Sequence, residues 1–142
     1  MHIDDKLIKA CENGDLSAAK KYLEQGANVH AMNDDAFRWA AYNGYSEVVK
    51  YLVERGANIH VYIDAALRNA AYYGHLEVVK YLAEHGANIH ALYDDALRGA
   101  ADNGHLQVMN VIRKAAGDKY KCHRCIIRST CLKLCKDFRN EH

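Results

Sequence analysis

Residues 56–85 read GANIHVYIDAALRNAAYYGHLEVVKYLAEH, and closely similar stretches stand on either side. GANVHAMNDDAFRWAAYNGYSEVVKYLVER begins at Gly26, and GANIHALYDDALRGAADNGHLQVMNVIRKA begins at Gly86. The first two copies agree at 18 of 30 positions and the second and third at 15 of 30, with no gaps. Gapless spacing means that each copy is one structural unit stacked on the next. The chain divides accordingly into an N-terminal capping unit (1–25), three repeats (26–55, 56–85 and 86–116) and a tail (117–142). Such a chain is expected to be a binding surface rather than a reaction vessel.

Within a unit the residues specify two helices. Asp34, Asp64 and Asp94, with Asp4 in the same place near the N-terminus, precede a short apolar-periodic stretch. An Asp there is expected to accept hydrogen bonds from the free N–H groups that open the helix. The first helix stops at Gly44, Gly74 and Gly104, where a positive φ is wanted. The second carries Val48, Val49, Tyr51 and Leu52, repeated as Val78, Val79, Tyr81 and Leu82, on one broad face, with Glu47 and Lys50 outward. Gly26, Gly56 and Gly86 end it, and Ala-Asn-Val/Ile-His forms a short extended turn to the next copy. The pairs Ala40-Ala41, Ala70-Ala71 and Ala100-Ala101 let neighbouring helices approach closely. Asp4–Gln25 aligns with the second part of a unit, Leu7 with Phe37, Gly14 with Gly44, and Tyr22-Leu23 with Tyr51-Leu52 shifted by one. Lys9, Ser17, Lys20 and Lys21 make this segment polar, as a terminal unit facing water must be. Cys11 takes a tight Ala position and reads as a small buried hydrophobe.

These pieces together resemble ankyrin repeats: the Ala-Ala pair, Gly-His at Gly74-His75 and Gly104-His105, the Glu-Val-Val-Lys-Tyr-Leu helix and the Gly-Ala-Asn-Ile-His turn. The resemblance covers residues 4 to about 115 and implies an all-α solenoid of about four stacked helix-turn-helix units with short turns. Two departures stand out. Asp-Asp-Ala-Leu-Arg replaces the family's Thr-Pro-Leu-His box, and the 30-residue period lacks three residues at the tip of the connecting hairpin. This shortened form is similar to the ankyrin arrays encoded by giant DNA viruses of the mimivirus type. The blunted tip shifts the expected weight of binding to the helical concave face.

Half of the residues are apolar and 26% are charged, the mix of an ordinary globular protein. There is no apolar run of the length a membrane span needs. The start, MHIDDKLIKACENGD, has no apolar signal core, so an intracellular, cytoplasmic protein is expected. Net charge near zero hides an asymmetry: residues 117–142 hold seven Lys/Arg against three Asp/Glu, a net of +4, leaving −3 on residues 1–116.

Positions that differ among copies are where function is expected. After each Ala-Ala pair stand Tyr42-Asn43, Tyr72-Tyr73 and Asp102-Asn103; before it stand Trp39, Asn69 and Gly99. The turns carry Met32-Asn33, Tyr62-Ile63 and Leu92-Tyr93. The resemblance implies that these sites line the concave surface and select the partner. They gather Trp39, Tyr42, Tyr62, Tyr72, Tyr73 and Tyr93, amphipathic rings of the kind enriched at interface hot spots. A blander reading has some of these rings covering the edge of the core, polar tips in water.

His30, His60 and His90 recur in register but lie a helix–helix distance apart, roughly 8–10 Å, too far to share one zinc ion, whose ligands sit within ~2.3 Å. A hydrogen-bonded turn ladder is the better account. Arg38, Arg68 and Arg98 are expected to bond backbone carbonyls or the Asp of an adjacent unit. In the tail, Cys122, Cys125, Cys131 and Cys135 have the spacing C-x2-C-x5-C-x3-C. Four thiolates so placed could hold one zinc, and the basic residues beside them would then fit nucleic acid. Against this, Ile127, Cys131, Leu134 and Phe138 share one helix face, favouring a helix that caps the last unit. No phosphate loop, metalloprotease His pair or nucleophile with an assigned base is present, so no enzyme is expected. The sequence points to a monomeric protein–protein interaction module without a cofactor, with a host protein as the expected partner; a zinc-stabilised nucleic-acid-binding tail is the alternative.

Overall fold

The computed structural model describes residues 1–117, apart from the side chain of Tyr93. Among these residues it contains eight helices and no strand: α1 (Ile3–Glu12), α2 (Leu16–Glu24), α3 (Ala31–Asn43), α4 (Ser46–Glu54), α5 (Val61–Tyr73), α6 (Leu76–Glu84), α7 (Ala91–Asp102) and α8 (Leu106–Ala116). Each odd helix packs on the even helix that follows it, and α1, α3, α5 and α7 stack into one row while α2, α4, α6 and α8 form the other. The repeat is therefore a two-layer solenoid, as the resemblance implies.

The core lies between the rows. Leu7, Phe37 and Leu67 from the first helices and Val48, Val49, Leu52, Val78, Val79 and Leu82 from the second are essentially inaccessible. Each such side chain contributes about 1.5–3 kcal/mol on burial. Ala40, Ala41, Ala70 and Ala71 are fully buried where odd helices meet, the close approach that their small size permits. Cys11 is buried beside them, and burial pushes its thiol pKa up to about 12.

Three sequence expectations are corrected at this level. The register is 30 residues throughout: the Ala27 N–H donates to the Tyr22 carbonyl as that of Ala57 does to Leu52, so no one-residue shift exists in the first unit. Instead Leu23 is buried and Tyr22 half-buried, a swap of side-chain roles on an unshifted backbone. Second, the repeated Asp does not cap its own helix. The Asp34 Oδ1 accepts from the Asn58 N–H at 2.8 Å, in the next unit, and from His30 Nδ1 at 3.0 Å. Asp4 bonds the Asn28 N–H, and Asp64 the Asn88 N–H, in the same way.

The reason lies in the backbone. Met32, Asn33 and Asp34 all have left-handed conformation, with φ of 53°, 56° and 55°, as do Tyr62, Ile63 and Asp64. Leu92 and Asp94 follow suit in the fourth unit. In these repeats the right-handed helix starts only after this turn, which carries the Asp carboxylate toward the neighbouring unit; Asp4, inside the first turn of α1, reaches Asn28 without it. Left-handed geometry costs roughly 1–2 kcal/mol for each residue bearing a Cβ. Charge-assisted hydrogen bonds, worth about 1.5–3 kcal/mol each, offset it. Arg38 donates to the Asn33 and Met32 carbonyls at 3.2 and 3.3 Å, and Arg68 to those of Ile63 and Tyr62, both at 2.9 Å. Arg98 donates to the Leu92 carbonyl at 3.2 Å. The Ala-Asn-Ile-His segment is likewise not extended: Asn28, Asn58 and Asn88 accept from the N–H of His30, His60 and His90, closing a tight turn.

Candidate functional site

The variable residues divide between two places on the first-helix row. Trp39 and Tyr42 on α3 and Tyr72 and Tyr73 on α5 come together as one strip of rings. Trp39 meets Tyr42 edge-on at 5.6 Å, Tyr42 meets Tyr73 at 4.8 Å, and Tyr73 meets Tyr72 at 4.9 Å. The phenol oxygens of Tyr42 and Tyr73 share a 2.8 Å hydrogen bond across the boundary between units. That bond holds the Tyr73 phenol above its ordinary pKa, helped by burial and by the neighbouring phenols of Tyr42 and Tyr72. The strip stays open to solvent: Trp39 and Tyr42 are each 37% exposed, Tyr73 44% and Tyr72 48%.

Several neighbours hold it in place. Asn43 is half-buried and donates to the Trp39 carbonyl at 3.1 Å and to the Glu12 carbonyl at 3.3 Å, tying α3 to α1. Gly99 leaves space for Tyr72, whose Cδ2 would lie 3.3 Å from a Cβ at that position. His75 Nε2 donates to the Tyr42 carbonyl at 2.8 Å, and His105 Nε2 to the Tyr72 carbonyl at 3.0 Å. Each satisfies a carbonyl left free at the end of the preceding odd helix. Gly44 and Gly74 make this possible, because a Cβ there would collide with the rings of His75 and His105. The repeated Gly-His dipeptide was visible in the sequence, yet its cross-unit bond requires the stacking offset to be known.

Tyr62 does not join the strip. Its ring lies under the Arg38 guanidinium, 4.8 Å away, and its hydroxyl accepts from Asn33 Nδ2 at 3.0 Å. It belongs to the row of left-handed turns, where Met32, Tyr62, Ile63 and Leu92 are exposed. Asn69 is half-buried, Asp102 and Asn103 are exposed, and Asn103 donates to the Gly99 carbonyl at 2.8 Å. Tyr93 lies outside the described side chains. Asp35 and Asp95 pair with arginines: Asp35 with Arg38 at 2.6 Å, and Asp95 with Arg68 of the preceding unit at 3.2 Å.

His30, His60 and His90 each bond the Asp four residues on, at 3.0, 2.9 and 2.6 Å. Among the described residues no group of three or more His, Cys, Asp or Glu is placed to hold a metal ion. Cys122, Cys125, Cys131 and Cys135 lie outside them, as does the expected capping helix.

No curated protein matches the chain. No described helix is long and apolar enough to cross a membrane. A family model for ankyrin repeats matches residues 7–93 as three copies, more than half of the sequence. Ankyrin repeats are in general protein–protein interaction modules. With its paired-helix stack, its Ala-Ala contacts and this match, the chain belongs to the ankyrin-repeat family.

Proposed function

We propose that the protein is a non-enzymatic, monomeric adaptor that binds a protein partner on the first-helix row, through Trp39, Tyr42, Tyr72 and Tyr73, with the turns as rim. The observation that carries this is the contrast between copies. Residues that build the stack repeat from unit to unit, while exposed and half-buried positions on the same helices change: Trp39, Asn69 and Gly99 share one register position, Asn43, Tyr73 and Asn103 another, and Tyr42 and Tyr72 give way to Asp102. Rings half-open to water, already ordered against one another, add apolar contact at little cost in side-chain entropy. The similarity of the 30-residue period to giant-virus arrays supports an intracellular setting with a host protein as partner.

The test is site-specific photo-crosslinking in cell extract, with the photoreactive side chain placed at Tyr72 or, as control, at Lys80 on the second-helix row. Capture of a discrete protein from position 72 and not from 80, abolished by Tyr42→Ala/Tyr73→Ala in a chain with unchanged helicity, is expected. Equal capture from both positions, or unfolding of the double variant, would overturn the assignment.

A further inference from the structure

We propose that the aromatic strip takes a basic protein segment, one that lays arginine side chains across Tyr42, Tyr72 and Tyr73 and ends in an ion pair with Asp102. This deepens the preceding section and rests on its reading of the strip as the partner-binding face. The charges of the two rows carry it. Helices α1, α3, α5 and α7 hold nine Asp/Glu against five Lys/Arg, a net of −4 with histidines neutral. Helices α2, α4, α6 and α8 hold five against six, a net of +1. The negative charge of the repeat body is therefore concentrated on the row that bears the rings.

Four of the five cations of that row are committed elsewhere, Arg98 among them through the Leu92 carbonyl and Asp95, which leaves Lys6 at the far end of the stack. Arg38 and Arg68 are bound to turn carbonyls and to Asp35 and Asp95, and Lys9 pairs with Glu12 at 2.9 Å. Asp102 differs. It occupies the column of Tyr42 and Tyr72 one unit further on, is exposed, and its carboxylate makes no hydrogen bond or ion pair among the described residues. It is also the last residue of α7, where the helix dipole disfavours a carboxylate by about 0.3–1 kcal/mol. Among the described residues nothing compensates that cost, whereas a cation from a partner would. The rings of the same column have the matching chemistry, since a guanidinium stacks on the electron-rich face of tyrosine. The molecule already contains that contact in Arg38 over Tyr62, at 4.8 Å.

Trp39 is the single tryptophan of the chain and sits in the strip, so its emission reports the site directly. The full chain is titrated with the synthetic peptide Gly-Gly-Arg-Leu-Leu-Arg-Gly-Gly and with versions in which both arginines are Gln or Asp. A saturable change with the arginine peptide is expected, with the Gln peptide weaker by about tenfold, a difference of 1.4 kcal/mol, and no response to the Asp peptide. Asp102→Asn should reduce arginine-peptide affinity to that of the Gln peptide and leave the Gln peptide unaffected. Equal response to the Arg and Gln peptides overturns the basic partner but leaves the strip as a docking face. So does silence with all three peptides when crosslinking at Tyr72 still captures a protein; if crosslinking fails too, the preceding reading falls with it. Arginine-peptide binding insensitive to both Asp102→Asn and Tyr72→Ala is diffuse attraction and overturns the proposal. Sedimentation showing a dimer without peptide, with Trp39 emission changing on dilution, puts a second copy on the strip and also overturns it.

Discussion

The left-handed turns and the aromatic strip lie on the same helices and follow opposite rules. In the turns, Asn28, His30, Asp34 and Arg38 recur unchanged as Asn58, His60, Asp64 and Arg68, and again in the fourth unit. Every one of these side chains is occupied in holding a backbone conformation that ordinary residues avoid, or in reaching the next unit. In the strip, one turn of helix away, repetition is partial: Tyr42 recurs as Tyr72 but becomes Asp102, Trp39 and Tyr73 stand once each, and the rings touch mainly one another. Buried acceptors with defined partners tolerate no substitution, because an orphaned N–H costs 1–3 kcal/mol. Half-exposed rings can be exchanged at a cost of about 0.5–1 kcal/mol. The difference separates what stacks the units from what the stack displays.

Asp64→Ala should break the comparison hardest. It removes the acceptor of the Asn88 N–H and of His60 from a site where the carboxylate is nearly inaccessible, and should cost about 3 kcal/mol. Urea denaturation measures it, and Asp64→Asn, which keeps an acceptor oxygen but loses the charge, should cost about half as much. A loss no larger than for a surface change would mean that the cross-unit bond is incidental.

Gly74→Ala comes next, at about 2 kcal/mol: φ is +77°, and the new Cβ would sit 2.6 Å from the His105 ring. The same substitution at Gly104, with φ of +73° and open space around it, should cost only the backbone term, about 1 kcal/mol. The gap between the two melting temperatures isolates the contribution of the histidine contact.

Tyr72→Ala should cost about 0.5–1 kcal/mol, the scale of one aromatic pair, while weakening partner capture far more. Thermal melting alongside crosslinking separates the two effects, and a stability loss as large as that of Asp64→Ala would move Tyr72 from display to scaffold.

Cys11 gives the smallest effect, absent at neutral pH. Its folded pKa, about 12 against an unfolded value of 9.0, is raised. The stability it contributes is thus complete below pH 9.0 and drains away as pH rises toward 12, since only the unfolded thiol ionises in that window. A thiol reagent at pH 8, with labelled peptides mapped by mass spectrometry, should leave Cys11 unmodified until denaturant is added. Rapid labelling of native Cys11 would show that the first unit opens locally.

Much of the fold was legible because its signals are local. The Ala-Ala pairs, the valines of α4 and α6 and the positive-φ glycines state their roles within one helix turn, and the structure buries or bends each as expected. The arginine ladder was also readable, as a cation near backbone carbonyls with an acid close by. The Asp ladder was misread for a definite reason. An Asp before an apolar run looks the same whether it caps its own helix or crosses to the next unit, and only the stacking of units decides: Asp34 reaches Asn58 from a left-handed turn and Asp4 reaches Asn28 from within a regular helix. The strip was legible as a set of variable rings but not as a grouping. Nothing in the letters says that Tyr42 meets Tyr73 while Tyr62 goes to Arg38.

The sequence by itself determined the unit, its period, its two helices and the residues that close them, because helical spacing and capping act over a few residues. The tertiary structure alone decided which side chains meet across units: Asp34 with Asn58, 24 residues on, Tyr42 with Tyr73, 31 on, and Tyr42 with His75, 33 on. Those separations are not the period. They depend on how far one unit is turned and shifted on its neighbour, a geometry set by the packing of alanines and by three left-handed residues that no local preference favours.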